Sequence, residues 1–170
     1  MKACFIGHRT IHNTEQLRSL LKKTVLNLID NGVTTFLFGS ASAFDKLSLE
    51  TVTSLKKDYP FIKRIYVRSA YQQIDNNYRT YLLKYYDDTY FSVKLKNAGK
   101  YAYVERNYEM IDSCLYCIFY YNSNYIAIQK NSIKNSIPSQ RNSGTKIAYE
   151  YAKTKKQKII LNLYEQLRSL

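Results

Sequence analysis

Apolar residues along the chain come in short runs, separated by longer stretches in which they recur every three or four positions, and the two patterns alternate. Residues 2–6 form a short apolar run that stops at Gly7, as a buried strand does. Leu17, Leu20, Leu21, Val25, Leu28 and Ile29 then recur at helical spacing, with Asn13 or Thr14 as the N-cap and Asn31-Gly32 as the stop. Residues 33–38 predict a second strand, Gly39-Ser40-Ala41-Ser42 a break, and Phe44, Leu47, Leu49, Val52 and Leu55 a second helical face. A third strand is predicted over 61–67. The tyrosine-rich stretch 71–86 reads as helix, although Asp75-Asn76-Asn77 equally starts a loop. A short fourth strand over 89–95 and a helix over 101–112 lead into 114–120, apolar throughout and therefore a central strand. The polar segment 121–142 is longer than an ordinary connection and reads as a flexible flap or insertion. Ser143-Gly144-Thr145 then opens a helix carrying Ile147, Ala148, Tyr151 and Ala152, before a last strand over 158–163. Such alternation predicts one α/β domain over 1–170, with a mostly parallel sheet covered by helices on both faces.

Composition adds a core and removes several classes. Hydrophobic residues make up 45% of 170, which sets the chain apart from disordered sequences, and no apolar run approaches the length a bilayer span needs. The N-terminal apolar run breaks at Gly7-His8-Arg9, too early for a signal peptide, so a cytoplasmic protein with no membrane partner is expected. Cys114 and Cys117 have CxxC spacing, but neither a second such pair nor a nearby His completes a metal site. With Cys4 they read as buried thiols, and no metal or cofactor is implied. The formal charge of +13 attracts polyanions at low salt, so single-stranded nucleic acid enters as a possible partner. The densest basic cluster, residues 153–158, lies between a predicted helix and strand, where cations also favour a helix C-terminus. The hexapeptide EQLRSL at 15–20 recurs at 165–170, which is no solenoid period.

In an open parallel sheet, ligands bind beyond the carboxyl ends of the strands, where loops and helix N-termini meet. Three loops fall there. Gly7-His8-Arg9 permits close backbone approach and offers a charged fork at Arg9. Gly39-Ser40-Ala41-Ser42 sets backbone N–H groups at a helix start, a seat for phosphate or carboxylate, and Ser143-Gly144-Thr145 follows the same logic. Each alone is what ordinary strand ends and helix starts look like. Their convergence on one edge predicts an anionic, phosphorylated small ligand.

Phe5-Ile6-Gly7-His8-Arg9 resembles the opening F-x-G-H-R of the YpsA-like group of the SLOG superfamily, a Rossmann-like nucleotide-binding fold shared with the Lonely Guy phosphoribohydrolases and DNA-processing protein A. Three further blocks follow in the expected order. Phe38-Gly39-Ser40-Ala41-Ser42-Ala43-Phe44-Asp45 is similar to the G-G-A-x-G-x-D loop, Arg106-Asn107-Tyr108-Glu109-Met110-Ile111-Asp112 to the R-N-x-x-M-[IV]-D helix, and Ser143-Gly144-Thr145 to the [SG]-G-T phosphate loop. The resemblance spans nearly the whole chain. It implies a Rossmann-like sheet, a nucleotide-derived ligand and a homodimer, and it permits a role in sensing or sequestering a messenger in stress or phage defence. Two departures stand out. Ser40 and Ala43 replace glycines of the second block, and Lys146-Ile147-Ala148 stand where Lonely Guy enzymes carry acidic residues used in hydrolysis. Glu150 lies five positions past Thr145 and so on a different helix face.

The resulting ligand-binding candidates are Gly7, His8, Arg9, Gly39, Ser40, Ala41, Asp45, Arg106, Asn107, Ser143, Gly144 and Thr145. Arg106 is either a phosphate or base clamp or the partner of a neighbouring carboxylate. Asp45 either accepts from a ribose hydroxyl or simply sits in a helix first turn favoured by the dipole. His8 is a proton carrier, a donor to phosphate, or a structural hydrogen-bonding group. Tyr71, Tyr78 and Tyr121 are candidates to stack on a base. If the ligand is turned over, Glu109 and Asp45 are the carboxylates for cleavage of an N-glycosidic bond in a nucleoside monophosphate, or for ribosyl transfer. Binding without turnover and single-stranded nucleic-acid binding stand beside that reading.

Overall fold

The computed structural model describes residues 1–69, 76–91, 101–125 and 143–169. Six strands, β1 (Lys2–Gly7), β2 (Thr35–Phe38), β3 (Lys63–Arg68), β4 (Asp88–Phe91), β5 (Tyr116–Tyr120) and β6 (Ile159–Asn162), form one sheet in the order β4-β3-β2-β1-β5-β6. Every pairing is parallel. The helices are α1 (Thr14–Asp30), α2 (Ala43–Leu55), α3 (Asn76–Leu82), α4 (Ala102–Ser113), α5 (Gly144–Lys153) and α6 (Leu163–Arg168). This is a single α/β domain of Rossmann-like form, as the alternation of patterns predicts.

Alternation along each strand divides the apolar side chains between two layers. Ala3, Phe5, Phe36, Phe38, Ile118 and Tyr120 point to one face, where α1, α2, α6 and Leu82 of α3 cover them. Cys4, Ile6, Leu37, Val67, Cys117 and Phe119 point to the other, against Met110 and Ile111 of α4 and Ala148 and Ala152 of α5. Strands β1 to β4 step one way across the sheet, with their connecting helices on the first face. The α4 connection then returns over β3, β2 and β1 to reach β5, and it lies on the opposite face, as the right-handed crossover rule requires. The direction of travel therefore reverses between β1 and β5, and this switch point is where such sheets open a crevice.

Several local details differ from the pattern-based expectation. Asn13 is the N-cap of α1, but it is left-handed at φ 51 and its side chain makes no cap hydrogen bond. At the other end Gly32, at φ 82, closes α1 with Val33 N–H donating to Leu28 O at 2.9 Å. Helix α3 spans only Asn76–Leu82 of the predicted 71–86, and β4 ends at Phe91. The rest of the predicted fourth strand, residues 71–75, and the body of the predicted flap, 126–142, lie outside the described residues. Helix α6 was not anticipated: Asn162, Oδ1 accepting from Tyr164 N–H at 3.3 Å, caps it directly after β6. The first EQLRSL segment falls in α1 and residues 165–168 of the second in α6, and the two helices pack on each other. All three cysteines are free and buried, as expected. Among the described residues no helix is long and apolar enough to cross a membrane, and no metal-ligating cluster forms.

Candidate functional site

Because all six strands are parallel, the loops after β1, β2, β3 and β5 and the N-termini of α2, α4 and α5 collect at one edge. The first two loops are tied together, Ala43 N–H donating to Arg9 O at 3.1 Å. Gly7 lacks a side chain for a packing reason. A β-carbon there would fall on the Phe44 ring, 2.5 Å from its Cγ, so the glycine lets α2 close against β1.

Ser42 caps α2 by accepting from Asp45 N–H at 3.0 Å, and Asp45 returns past the cap: its Oδ2 accepts from Ser40 N–H and Ser40 Oγ, both at 2.6 Å. One Asp45 oxygen is thereby committed to shaping the loop. The other, Oδ1, is buried without a hydrogen-bond partner among the described residues. Burial pushes this carboxyl up to about 6, against the opposing pull of Ser40 and Arg106. Ser40 substitutes for glycine here by supplying a hydroxyl, which also accepts from Ser42 N–H at 3.2 Å. Ala41 is exposed at the tip.

Arg106 reaches from α4 over the end of β2. Its Nη1 donates to Gly39 O, while Nε and Nη2 donate to Asn107 Oδ1 at 3.3 and 3.0 Å. Neither a neighbouring carboxylate nor a free fork describes it. The guanidinium is buried, and burial lowers its pKa while the Tyr66 hydroxyl and Asp45 hold its charge. Gly39 is required by this contact, since a β-carbon would lie 2.7 Å from both Arg106 Nε and Met110 Sδ. Glu109, half-buried one turn on, acts on Tyr90 of β4.

At the switch point His8 is buried and stacks on Tyr125, ring centroids 3.8 Å apart. Asn122 N–H donates to His8 Nε2 at 3.0 Å. With the ring proton on Nε2 instead, that nitrogen donates to Asn122 O at 3.2 Å, and in either tautomer Nδ1 is buried with no partner among the described residues. Burial pulls the imidazole down to about 4, outweighing its backbone contact with Asn122, so the ring is neutral near pH 7. Arg9 beside it is exposed and makes no ion pair with a described residue. Ser143 caps α5, its Oγ accepting from Lys146 N–H at 3.1 Å. Gly144 is exposed, with none of the described residues within 4 Å of where a β-carbon would stand, and Thr145 is buried. The α5 N-terminus thus offers the open backbone approach that the two strand-end glycines do not.

Pattern reading missed three residues of this edge. Asn162 clamps the exit of β5, its side chain exchanging hydrogen bonds with Tyr121 N–H and O at 3.0 and 2.9 Å. Tyr125 covers His8, and Arg68 closes β3. Only Tyr125, inside the polar segment after the central strand, carried any signal, as an aromatic in a loop at the right edge. Of the tyrosines named for stacking, Tyr78 is partly exposed, Tyr121 is buried against Tyr149 at 4.6 Å, and Tyr71 lies outside the described residues. A groove along the outside of α1, between Lys22, Lys23 and Asp30, belongs to the helix surface and brings no buried polar group together.

The family model described as the YspA SLOG family matches residues 7–158, from the glycine that admits Phe44 to the lysine that precedes β6. No curated protein matches the chain. With about nine-tenths of the sequence inside that match, the chain belongs to the YspA SLOG family.

Proposed function

We propose that the protein binds a nucleotide or nucleotide-derived phosphorylated small molecule at the carboxyl edge, across the switch point between β1 and β5. The observation that carries this reading is a pair of polar atoms left over beyond the ends of β1 and β2: His8 Nδ1 and Asp45 Oδ1, both buried and both without a partner among the described residues. Each such group costs about 1–3 kcal/mol when left unsatisfied, and a ligand with hydroxyl and acceptor groups offsets that cost. The α5 N-terminus, open at Gly144, supplies N–H groups and the positive end of a helix dipole for a phosphate. Arg106 supports the site by fixing the Gly39 loop and by its charge.

Family membership fits a nucleotide-related ligand and leaves open whether it is sensed, sequestered or cleaved. Asp45 is the carboxyl suited to cleavage. Its pKa near 6 lets it exchange a proton near neutrality, as water adds to the sugar carbon and the bond to the base breaks. Glu109, the other carboxylate candidate for cleavage, stands half-buried on α4 and acts on Tyr90 of β4.

A thermal-shift screen of nucleoside mono-, di- and triphosphates, with product analysis of every hit, tests the proposal. A ligand recovered intact supports a binder or sensor, and free base with ribose phosphate supports a hydrolase. No shift with any nucleotide overturns it. One observation favours a second reading, single-stranded nucleic-acid binding: Tyr78, Tyr81 and Tyr85 are exposed in a ladder on and after α3, beside Arg79 and Lys84. Oligonucleotide affinity that falls steeply with salt and is lost in Tyr81→Ala/Tyr85→Ala would support it.

A further inference from the structure

Arg68 is the last residue of β3 and pairs in register with Phe91, the last residue of β4. Its guanidinium carbon lies 3.8 Å from the Phe91 ring centroid, and the residue is only 8% exposed. The Nε–H is buried without a hydrogen-bond partner among the described residues. Arg79 and Tyr78 of α3 act on its charge from the helix that covers this corner, and Asp88, which also acts on it, is exposed at the far end of β4. A buried guanidinium is ordinarily matched by a carboxylate. Among the described residues Arg68 has no ion pair, and burial followed by the charge of Arg79 lowers its pKa. Such an arrangement is costly until an anion fills it, and the arginine fork matches the oxygens of a phosphate.

The corner is continuous with the site described above. Tyr66 pairs with Phe38 immediately before Gly39, and Arg68 stands two residues beyond Tyr66 on the neighbouring strand. Strands are spaced by about 5 Å, so the Gly39 loop and Arg68 are separated by roughly the length of a diphosphate. Tyr78 of α3 acts on the charge of both Arg68 and Arg106.

We propose that Arg68 and Arg79 form a second phosphate position at the carboxyl ends of β3 and β4, so that the ligand class is one carrying a diphosphate or two separated phosphates. The choice of a nucleotide as its carrier rests on the function proposed above; the anion position itself does not.

Calorimetric titration at about physiological ionic strength tests this with three probes, inorganic pyrophosphate, a nucleoside monophosphate and the corresponding diphosphate, on wild type, Arg68→Gln, Arg79→Gln and Lys23→Gln. Lys23 is exposed on α1, and its variant carries the same charge change away from the site. Arg79 is exposed, so its variant remains informative if removal of buried Arg68 impairs folding, which circular dichroism would reveal. The expected result is at least a tenfold weaker affinity for pyrophosphate in Arg79→Gln and in folded Arg68→Gln, with Lys23→Gln unchanged. The preference of wild type for diphosphate over monophosphate is lost in the same two variants. Pyrophosphate bound through these arginines, with no nucleotide bound at all, would uphold the position and defeat the nucleotide reading. Monophosphate binding with pyrophosphate affinity unaffected by either arginine would do the reverse. An equal loss in Lys23→Gln, or an arginine dependence seen only with an oligonucleotide, overturns the proposal in favour of general polyanion attraction or a nucleic-acid surface.

Discussion

Gly39 and Arg106, 67 positions apart in sequence, are fitted to each other: the glycine carbonyl accepts from Nη1, and a β-carbon on residue 39 would stand 2.7 Å from Nε. The end of β2 and the first turns of α4 are therefore fixed by one contact. Met110, one turn along α4, meets the same point at 2.7 Å, so neither helix nor strand has room to yield.

Alanine at the two loop glycines is expected to separate stability from binding. Gly39→Ala drives a methyl group into a pinned arginine and should lower unfolding stability by about 1–3 kcal/mol in urea titrations. Gly144→Ala meets none of the described residues within 4 Å, and at the start of a helix it should leave stability unchanged or raise it by about 0.5 kcal/mol. If a phosphate lies against the α5 N-terminus, the same methyl group weakens nucleotide binding without unfolding anything. A Gly144→Ala protein with unchanged affinity would remove α5 from the site.

Two buried groups of the edge titrate in opposition. Asp45 rises from 3.8 to about 6 on folding, so the folded chain keeps a proton that the unfolded chain has released, and its contribution to stability is lost as pH rises through that window. His8 falls from 6.5 to about 4, so the unfolded chain binds a proton that the folded chain refuses, and stability is lost as pH falls through nearly the same window. Each shift is about two units, or up to about 3 kcal/mol, and the two largely cancel. Wild-type stability should be nearly flat with pH between the two limits as far as these groups are concerned. Asp45→Asn should expose the His8 slope, becoming less stable on acidification, while His8→Gln should become more stable. Urea midpoints measured from pH 4 to 7 check the signs, and parallel slopes in the two variants would refute the assignment.

Strands and their order of use were legible because a central parallel strand is apolar on both faces, and such runs at Phe5, Phe36 and Ile118 admit no other reading. Gly39 and Arg106 were legible as motif residues, but their mutual contact was not, since sequence carries no register between a strand end and a distant helix. Asp45 was read as helix first turn or ribose acceptor. Its bonds to Ser40 show the first role plainly and leave one oxygen for the second. Arg68 escaped because a charged residue at the end of Lys63–Arg68 looks like solvent-facing punctuation; its cross-strand contact with the Phe91 ring is set by the sheet register, which the sequence does not show. Helix α6 escaped because six residues are too few to show a period.

The basic cluster 153–158 offers the last prediction, because position decides between a structural lysine and a polyanion contact. Lys158 Nζ donates to Asp112 O and Cys114 O at 2.8 and 2.6 Å, satisfying carbonyls that α4 leaves open at its C-terminus. Lys155 pairs with the Asp112 carboxylate at 3.1 Å, which also accepts from Tyr151 Oη at 3.0 Å. Lys156 is exposed between them. Lys158→Met should therefore cost about 1–3 kcal/mol of stability by leaving buried-edge carbonyls unpaired, whereas Lys156→Gln should stay within about 0.5 kcal/mol of wild type. The α5–β6 connection where these lysines lie is at the amino edge of the sheet, opposite the edge that carries Asp45 and His8, so neither change should alter nucleotide affinity at physiological salt. If Lys156→Gln instead lowers the salt dependence of oligonucleotide binding, the cluster contacts a polyanion and the charge of the chain has a use beyond capping α4.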